Sequence, residues 1–436
     1  MNKSNELFER RKKTVTNGVG VFVESTVAKA SGAIITDLDG KDYIDLGGGI
    51  GVVNAGHCPP EVVAAIKDQA DKFLHTCFHV SAYEAYVGLC EKLIKILPHG
   101  ENTKVMLTNT GAESVENAIK IARQSTKRSA VICYSEAFHG RSMMAMSLTS
   151  KIKYKYDCGP FAPEVYRIGF PNTYHQQKNQ SLEEFSNQEL AKLDHFTKTY
   201  VDADAVAAII IEVVQGEGGF NVAPKPYIEG LRKFCDDHGI VLIFDEVQSG
   251  FCRTGKWAAY EHYGVTPDLS TWAKSMGSGL PIGCVIGKQE VMDAAQPGTI
   301  GGTYLGNPVC CAAALATISV MEKQELNNRA MAVGDIVRAR FEKMAEWADC
   351  IGDVRGLGAM IAMELVTNRE TRAANPEVCE VLTDKCLEKG VILLKAGVYK
   401  NVIRVLSPLV ITDEELQKAL DIIEETLKEI LGGAIK

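Results

Sequence analysis

Two residues in the middle of the chain have the type and the position to do covalent and acid–base chemistry. Asp245 stands at the carboxyl end of the apolar run Ile240 to Phe244, and Lys274 follows the run Leu269 to Ala273 and leads into Ser275-Met276-Gly277-Ser278-Gly279-Leu280-Pro281. An apolar run this short reads as a strand buried on both faces. Open α/β sheets bind ligands outside the carboxyl ends of their strands, so a carboxylate placed there is aimed at a site. A lysine between such a strand and a glycine-rich turn has little packing use. An amine that can condense with an aldehyde and an acid that keeps a ring nitrogen protonated are the pair a pyridoxal phosphate enzyme needs. Taken singly, each residue also reads plainly, the aspartate as a cap and the lysine as a surface charge.

The residues around the pair sharpen this reading. Asp245-Glu246-Val247-Gln248-Ser249-Gly250-Phe251-Cys252-Arg253-Thr254-Gly255, then Ala273-Lys274 and Gly279-Leu280-Pro281, resemble the signature of the class III, fold type I aminotransferases. The resemblance covers nearly the whole chain and is nearest in wording to the 4-aminobutyrate aminotransferases; Cys252 departs from the glycine usual there. It implies an α/β fold with a large domain built on a mainly parallel seven-stranded sheet and a smaller α+β domain. It also implies pyridoxal phosphate as cofactor, with Lys274 and Asp245 catalytic. Gly111, Ala112 and, from a neighbouring subunit, Thr303 of Gly301-Gly302-Thr303-Tyr304 would hold the phosphate. Phe138 would lie on one face of the ring and Val247 on the other, Gln248 would bond the phenolic oxygen, and Glu212 would line the cofactor site. Among substrate residues, Ile50 would face the donor and Arg141 would hold the distal carboxylate. Glu217 would pair with Arg404 until an α-carboxylate displaces it. The implied reaction is ping-pong transfer from an ω-amino acid, 4-aminobutyrate above all, to 2-oxoglutarate, giving the semialdehyde and glutamate. Ile50 leaves an apolar slot where an ornithine-type enzyme would carry tyrosine. The implied assembly is a homodimer or a dimer of dimers.

The same residues can be read without the resemblance. Asn109-Thr110-Gly111-Ala112 precedes a helical pattern of Val115, Ala118, Ile119 and Ala122, and a helix amino terminus offers free N–H groups to a phosphate. Glu113 and Glu116 compete for that dipole, so a second donor set is expected. Arg141 and Arg404 carry the planar fork suited to carboxylates. Arg404 could equally form a surface salt bridge, and Glu217 could be an ordinary loop carboxylate. Gly47 to Gly51 is a flexible tract that lets a ligand approach, and its spacing is wrong for a dinucleotide fingerprint. His75 and His79, spaced one helical turn apart around Cys77, have no flanking carboxylate, so no metal site is expected.

Those residues need elements to position them. Strand-like runs at Val105 to Leu107, Ala130 to Tyr134, Val206 to Val213, Ile240 to Phe244, Leu269 to Ala273 and Ile282 to Ile286 mostly alternate with helical patterns, which argues a largely parallel sheet covered on both faces. Before them come a hairpin (Gly32 to Asp37, Asp42 to Leu46, turning at Asp39-Gly40) and two amphipathic helices between Pro59 and Leu97. No long helical pattern is evident before about residue 55, and 170 to 203 reads as a polar surface excursion. Thr412 to Glu415 is a capping box opening a helix with Leu416, Leu420, Ile423, Leu427 and Ile430 on one face. The expected division is residues 1–58 joining the smaller domain, 59–310 binding the cofactor, and 311–436 forming the rest of the smaller domain.

The totals are ordinary for a soluble globular protein. With 436 residues, 46% hydrophobic, 23% charged and a net charge of −8, the chain has no basic stripe for nucleic acid. No apolar run is long enough to span a bilayer and the amino terminus lacks a signal-peptide core, so the expected location is the cytoplasm. Thirteen cysteines, several inside apolar runs and none in a Cys-x-x-Cys pair, read as buried free thiols. The alternatives are another ω-transaminase (5-aminovalerate, acetylornithine or β-alanine), a racemase or epimerase on the same fold, and a non-catalytic binding protein. Activity without a keto acid would mark the second, and a colourless protein that takes up no cofactor the third.

Overall fold

The computed structural model describes residues 2–177 and 179–433. Its centre is a seven-stranded sheet. From one edge to the other the strands are Thr103–Thr108, Gly283–Lys288, Leu269–Trp272, Val241–Asp245, Val206–Ile211, Ala130–Tyr134 and Val165–Ile168. Only Gly283–Lys288 runs against its neighbours, so six of the strands point the same way. Alternation along each strand divides the core into two layers. Val131, Cys133, Ala208, Ile210, Val241 and Ile243 face one layer, with Val115, Ala118 and Ala122 of the helix Gly111–Thr126. Ile132, Tyr134, Ile209, Ile211, Leu242 and Phe244 face the other. Burial on both faces is why these runs are continuously apolar rather than alternating.

The carboxyl-terminal part forms a second antiparallel sheet, ordered Ile351–Leu357, Met360–Asn368, Val402–Val405 and Leu394–Ala396, with Ala373–Ala374 pairing beside Met360–Asn368. The amino-terminal hairpin, Ile34–Thr36 with Asp42–Asp45, joins it in space, because Asp42–Asp45 pairs in parallel with Val391–Ile392. The final helix, Asp413–Gly433, buries Leu416, Leu420, Ile423 and Leu427. Its capping box is formed as expected: Thr412 Oγ1 accepts from the Glu415 N–H at 3.1 Å, and Glu415 Oε2 accepts from the Thr412 N–H at 2.9 Å.

Several expectations need correction. The first 55 residues do contain a helix, Lys3–Thr14, which has no buried residue and therefore no apolar stripe to announce it. Residues 170 to 203 are not an irregular excursion: Ser181 caps the helix Leu182–Thr199, which buries Phe185 and Leu193. The edge strand Val165–Ile168 was not expected, and its half-exposed side chains explain the weak signal. Gly47 to Gly51 is a formed turn in which Gly48, Gly49, Ile50 and Gly51 all have positive φ. The segment holding His75 and His79 lies between the helices Pro60–Lys72 and Glu84–Ile96 and is not helical; both histidines are exposed. Among the described residues no group of three or more His, Cys, Asp or Glu could hold a metal ion, and no helix is long and apolar enough to cross a membrane. All thirteen cysteines are free, with Cys58 and Cys158 exposed and Cys133, Cys235 and Cys284 among the buried ones.

Candidate active site

Parallel strands end at the same edge of the sheet, and every candidate cofactor residue except Thr303 leaves from that edge. Ala130–Tyr134 delivers Phe138 and His139, Val206–Ile211 delivers Glu212, and Val241–Asp245 delivers Asp245, Val247 and Gln248. Leu269–Trp272 delivers Lys274, and Thr103–Thr108 delivers the turn into the helix Gly111–Thr126. Asp245 is paired in register with Thr271, which brings Asp245 and Lys274 to neighbouring strand ends.

Asp245 is buried and held by three donors. His139 Nδ1 lies 2.6 Å from Oδ2, while the Val247 N–H and the Thr271 hydroxyl donate to Oδ1 at 3.1 and 3.0 Å. A carboxylate can only accept, so Nδ1 carries the hydrogen, and Nε2 is left buried without a partner. His139 is the residue the sequence reading passed over, although it stands beside Phe138. Glu212 is also buried; its Oε1 accepts from the Phe138 N–H at 2.8 Å and its Oε2 from the Gly216 N–H at 2.9 Å. Burial raises the Glu212 carboxyl to about 7, with His139 pulling it down and Asp245 pushing it up.

Lys274 adopts a left-handed backbone, φ 48°, a conformation uncommon for a side chain of this size. Loss of solvent lowers its ammonium pKa, although Glu217 and Glu212 pull the other way. The next residue, Ser275, donates its hydroxyl to the Gly51 carbonyl at 2.9 Å, which ties the lysine segment to the turn that presents Ile50. Ile50 itself has φ 66°, a strained value for a β-branched residue. Cys252 has φ 70° and is fully buried, so the position favours glycine and the chain holds a small thiol there instead.

At the helix amino terminus, Thr110 accepts from the Glu113 N–H at 3.2 Å. The two acidic residues of the first turns are engaged elsewhere. Glu113 Oε2 accepts from the Asn109 N–H at 2.8 Å, and Glu116 Oε1 accepts from Ser142 and from the Met144 and Ala145 N–H groups. Gly111 faces Val247 so closely that a Cβ there would sit 2.9 Å from the valine Cγ1. Thr303 is exposed on its loop, apart from this cluster.

Two of the carboxylate-binding candidates, Glu217 and Arg404, lie close enough to Lys274 for their charges to act on it. Arg404, in the strand Val402–Val405, is buried and pairs with Glu217, Nη1 to Oε1 at 2.6 Å, and the same nitrogen reaches the Gly216 carbonyl at 3.3 Å. Glu217 sits in the turn closed by the Val214–Val222 bridge and the Phe220 N–H to Gln215 carbonyl bond. Burial pushes its carboxyl up, but Arg404 and Lys151 outweigh this and hold it below its ordinary value. Arg141 is exposed, with its guanidinium 5.9 Å from the Tyr154 ring and no carboxylate in ion-pair reach among the described residues.

This arrangement fits pyridoxal phosphate. The side-chain carbonyl of Gln248 is buried without a partner, the glycine at the helix start leaves N–H groups accessible, and an amine stands within the same enclosure as a fixed carboxylate.

Comparison with known proteins agrees. The family described as aminotransferase class-III matches residues 15–427. The chain is 45% identical over 432 residues to the 5-aminovalerate aminotransferase of Pseudomonas putida, covering 99% of this chain and 100% of that one. It is 43% identical over 421 residues to the probable 4-aminobutyrate aminotransferase of Bacillus subtilis, covering 96% and 97%. Among solved structures, the taurine:2-oxoglutarate aminotransferase of Bifidobacterium kashiwanohense, in complex with pyridoxal phosphate and glutamate, superimposes with a TM-score of 0.91 at 29% identity over 99% of this chain and 98% of that one. Matched along nearly its whole length, and with its lysine and aspartate at one edge of a largely parallel seven-stranded sheet, the chain belongs to the class-III aminotransferases, which use pyridoxal phosphate.

Proposed function

We propose that this protein transfers the amino group of an ω-amino acid, 4-aminobutyrate foremost, to 2-oxoglutarate by ping-pong chemistry. The observation that carries this reading is the buried Arg404–Glu217 pair at 2.6 Å together with an uncommitted Arg141. A donor with a single carboxylate, distant from its amine, needs only Arg141. A dicarboxylate needs both arginines, and its α-carboxylate can take the place of Glu217 on Arg404. Removing Glu217 with nothing in exchange would strand a buried arginine at a cost of roughly 3–5 kcal/mol. The pair therefore opens only for a substrate that replaces it.

When bound, pyridoxal phosphate supplies an aldehyde and an electron-withdrawing ring. Gly111 and Ala112 present backbone N–H groups to its phosphate, joined by Thr303 from a second copy of the chain. Phe138 and Val247 hold the ring between them, Gln248 bonds its phenolic oxygen, and Glu212 fixes the Phe138 backbone. Asp245, oriented by His139 and Thr271, keeps a proton on the ring nitrogen. Lys274 would supply the amine that holds the cofactor's aldehyde and, when free, the base that moves the substrate's proton. Ile50 provides the apolar wall against the donor chain.

We further propose a homodimer or dimer of dimers, a cytoplasmic location, and a division into residues 1–58, 59–310 and 311–436. The pairing of Asp42–Asp45 with Val391–Ile392 supports placing the first segment with the last. The 45% identical relative named for 5-aminovalerate favours that donor as the second reading. Half-reactions decide between them. Each of 4-aminobutyrate, 5-aminovalerate, β-alanine and acetylornithine is mixed with holoenzyme without acceptor, and the loss of cofactor absorbance is followed. The fastest loss is expected with 4-aminobutyrate; a faster rate with another donor reassigns the substrate, and loss with none of them refutes the transaminase reading.

A further inference from the structure

Glu217 has more neighbours than its arginine. Its second oxygen, Oε2, accepts from the Tyr154 hydroxyl at 3.4 Å and lies 3.9 Å from Lys151 Nζ. Lys151 also donates to the Glu217 main-chain carbonyl at 3.3 Å, and that carbonyl accepts the Gly397 N–H at 3.0 Å, so the lysine head and the glutamate backbone are fixed relative to each other. Both side chains are largely buried, 17% exposed for Lys151 and 12% for Glu217. Burial lowers the Lys151 ammonium pKa, and Glu217 opposes that shift.

From this geometry we infer that Lys151 and Tyr154 form a second berth for the Glu217 carboxylate, so that the glutamate toggles between two cationic partners instead of swinging free when Arg404 is claimed by a substrate. The inference rests on the proposed exchange of Glu217 for an α-carboxylate. A charge-assisted N–H···O bond is about 2.8 Å long, so a carboxylate shift of about 1 Å toward Lys151 completes the second pair. A buried carboxylate that lost Arg404 with no replacement would resist leaving, and the dicarboxylate would bind weakly. With the berth in place, Arg404 and Glu217 each keep a partner of opposite charge after the exchange. Tyr154 is well placed to sense this exchange, because its ring also lies under the Arg141 guanidinium and meets the edge of Phe138 at 5.2 Å. Lys151 and Tyr154 are thus positioning residues that set the preference for dicarboxylates over monocarboxylates.

The test uses two unreactive acids on the holoenzyme, glutarate with two carboxylates and butyrate with one, titrated by calorimetry. Lys151→Met keeps the aliphatic stem and removes the charge. It is expected to weaken glutarate at least 10-fold more than butyrate, a difference of about 1.4 kcal/mol. Lys151→Arg should recover most of that selectivity, and Tyr154→Phe should lose a smaller part of it. Equal losses for both acids, or none, overturn the second berth. A wild-type enzyme that transaminates 4-aminobutyrate with 2-oxoglutarate while Lys151→Met shows equal losses leaves the functional reading intact and removes only this inference. A wild type that neither binds glutarate nor uses 2-oxoglutarate removes both.

Discussion

Charge placement at single residues explains most of the site. Asp245 accepts from three donors, so its carboxylate is held in one orientation, and the His139 ring behind it is fixed by the same bond. Lys274 is the opposite case. It has a left-handed backbone and a lowered pKa, and it forms no hydrogen bond or ion pair among the described residues. A residue held this way is arranged for reactivity, since burial favours the neutral amine, the form that acts as a nucleophile. Lys274→Ala is expected to abolish transfer with every donor, and borohydride reduction of the wild-type holoenzyme should label the peptide carrying residue 274. Label on another peptide, or none, would show that this amine does not hold the cofactor.

Among the elements, the strands decide where chemistry happens and the caps decide how firmly the frame is held. Five parallel strands end within one enclosure because they share direction, not because their loops resemble one another. The helix Gly111–Thr126 enters it with the Glu113 N–H capped by Thr110 and with the Glu113 and Glu116 carboxylates bonded to neighbouring backbone groups. That resolves the competition expected between these carboxylates and a phosphate. The last helix depends on local bonds as well as on its apolar face. Thr412→Ala removes one half of its capping box and should lower unfolding free energy by about 1 kcal/mol in denaturant titration, leaving the donor half-reaction rate unaltered. A loss far above that would mean the threonine does more than cap.

At the scale of the whole molecule, buried polar groups tie distant segments together. Arg253 is fully buried and donates to the Ser407 carbonyl at 2.8 Å while also bonding Asn54, so one side chain from the loop after Asp245 ties together the segments that precede and follow the large sheet. Glu246, next to Asp245, is equally buried; it accepts from the Ala259 and Tyr260 N–H groups, and burial raises its carboxyl to about 7. A raised pKa means that the folded state holds the proton more tightly than the unfolded chain, whose value is 4.5. The corresponding stability is complete below pH 4.5 and is lost as pH rises through 7. Unfolding free energy should therefore carry a falling component across that window, on the order of 3 kcal/mol from this group. Glu246→Gln should remove its share of that slope and leave the share of Glu212, which is raised over the same window; an unaltered slope would show that Glu246 is ionised throughout.

The sequence alone determined the parts that depend on neighbours along the chain. Ile240 to Phe244 had to be a strand buried on both faces, Thr412 to Glu415 had to open a helix, and Asp245 and Lys274 had to stand at strand ends, because periodicity and capping act over a few residues. Where local signal was faint the reading failed: Lys3–Thr14 has no apolar stripe, and Val165–Ile168 is only half buried. Tertiary structure decided what no spacing encodes. His139 meets Asp245 across 106 positions, Arg404 meets Glu217 across the seam between two sheets, and Lys151 comes within reach of the same carboxylate. These contacts follow from strand order, and the charges they bring together act on one another: burial raises Glu212, while Arg404 and Lys151 hold Glu217 low against the same effect.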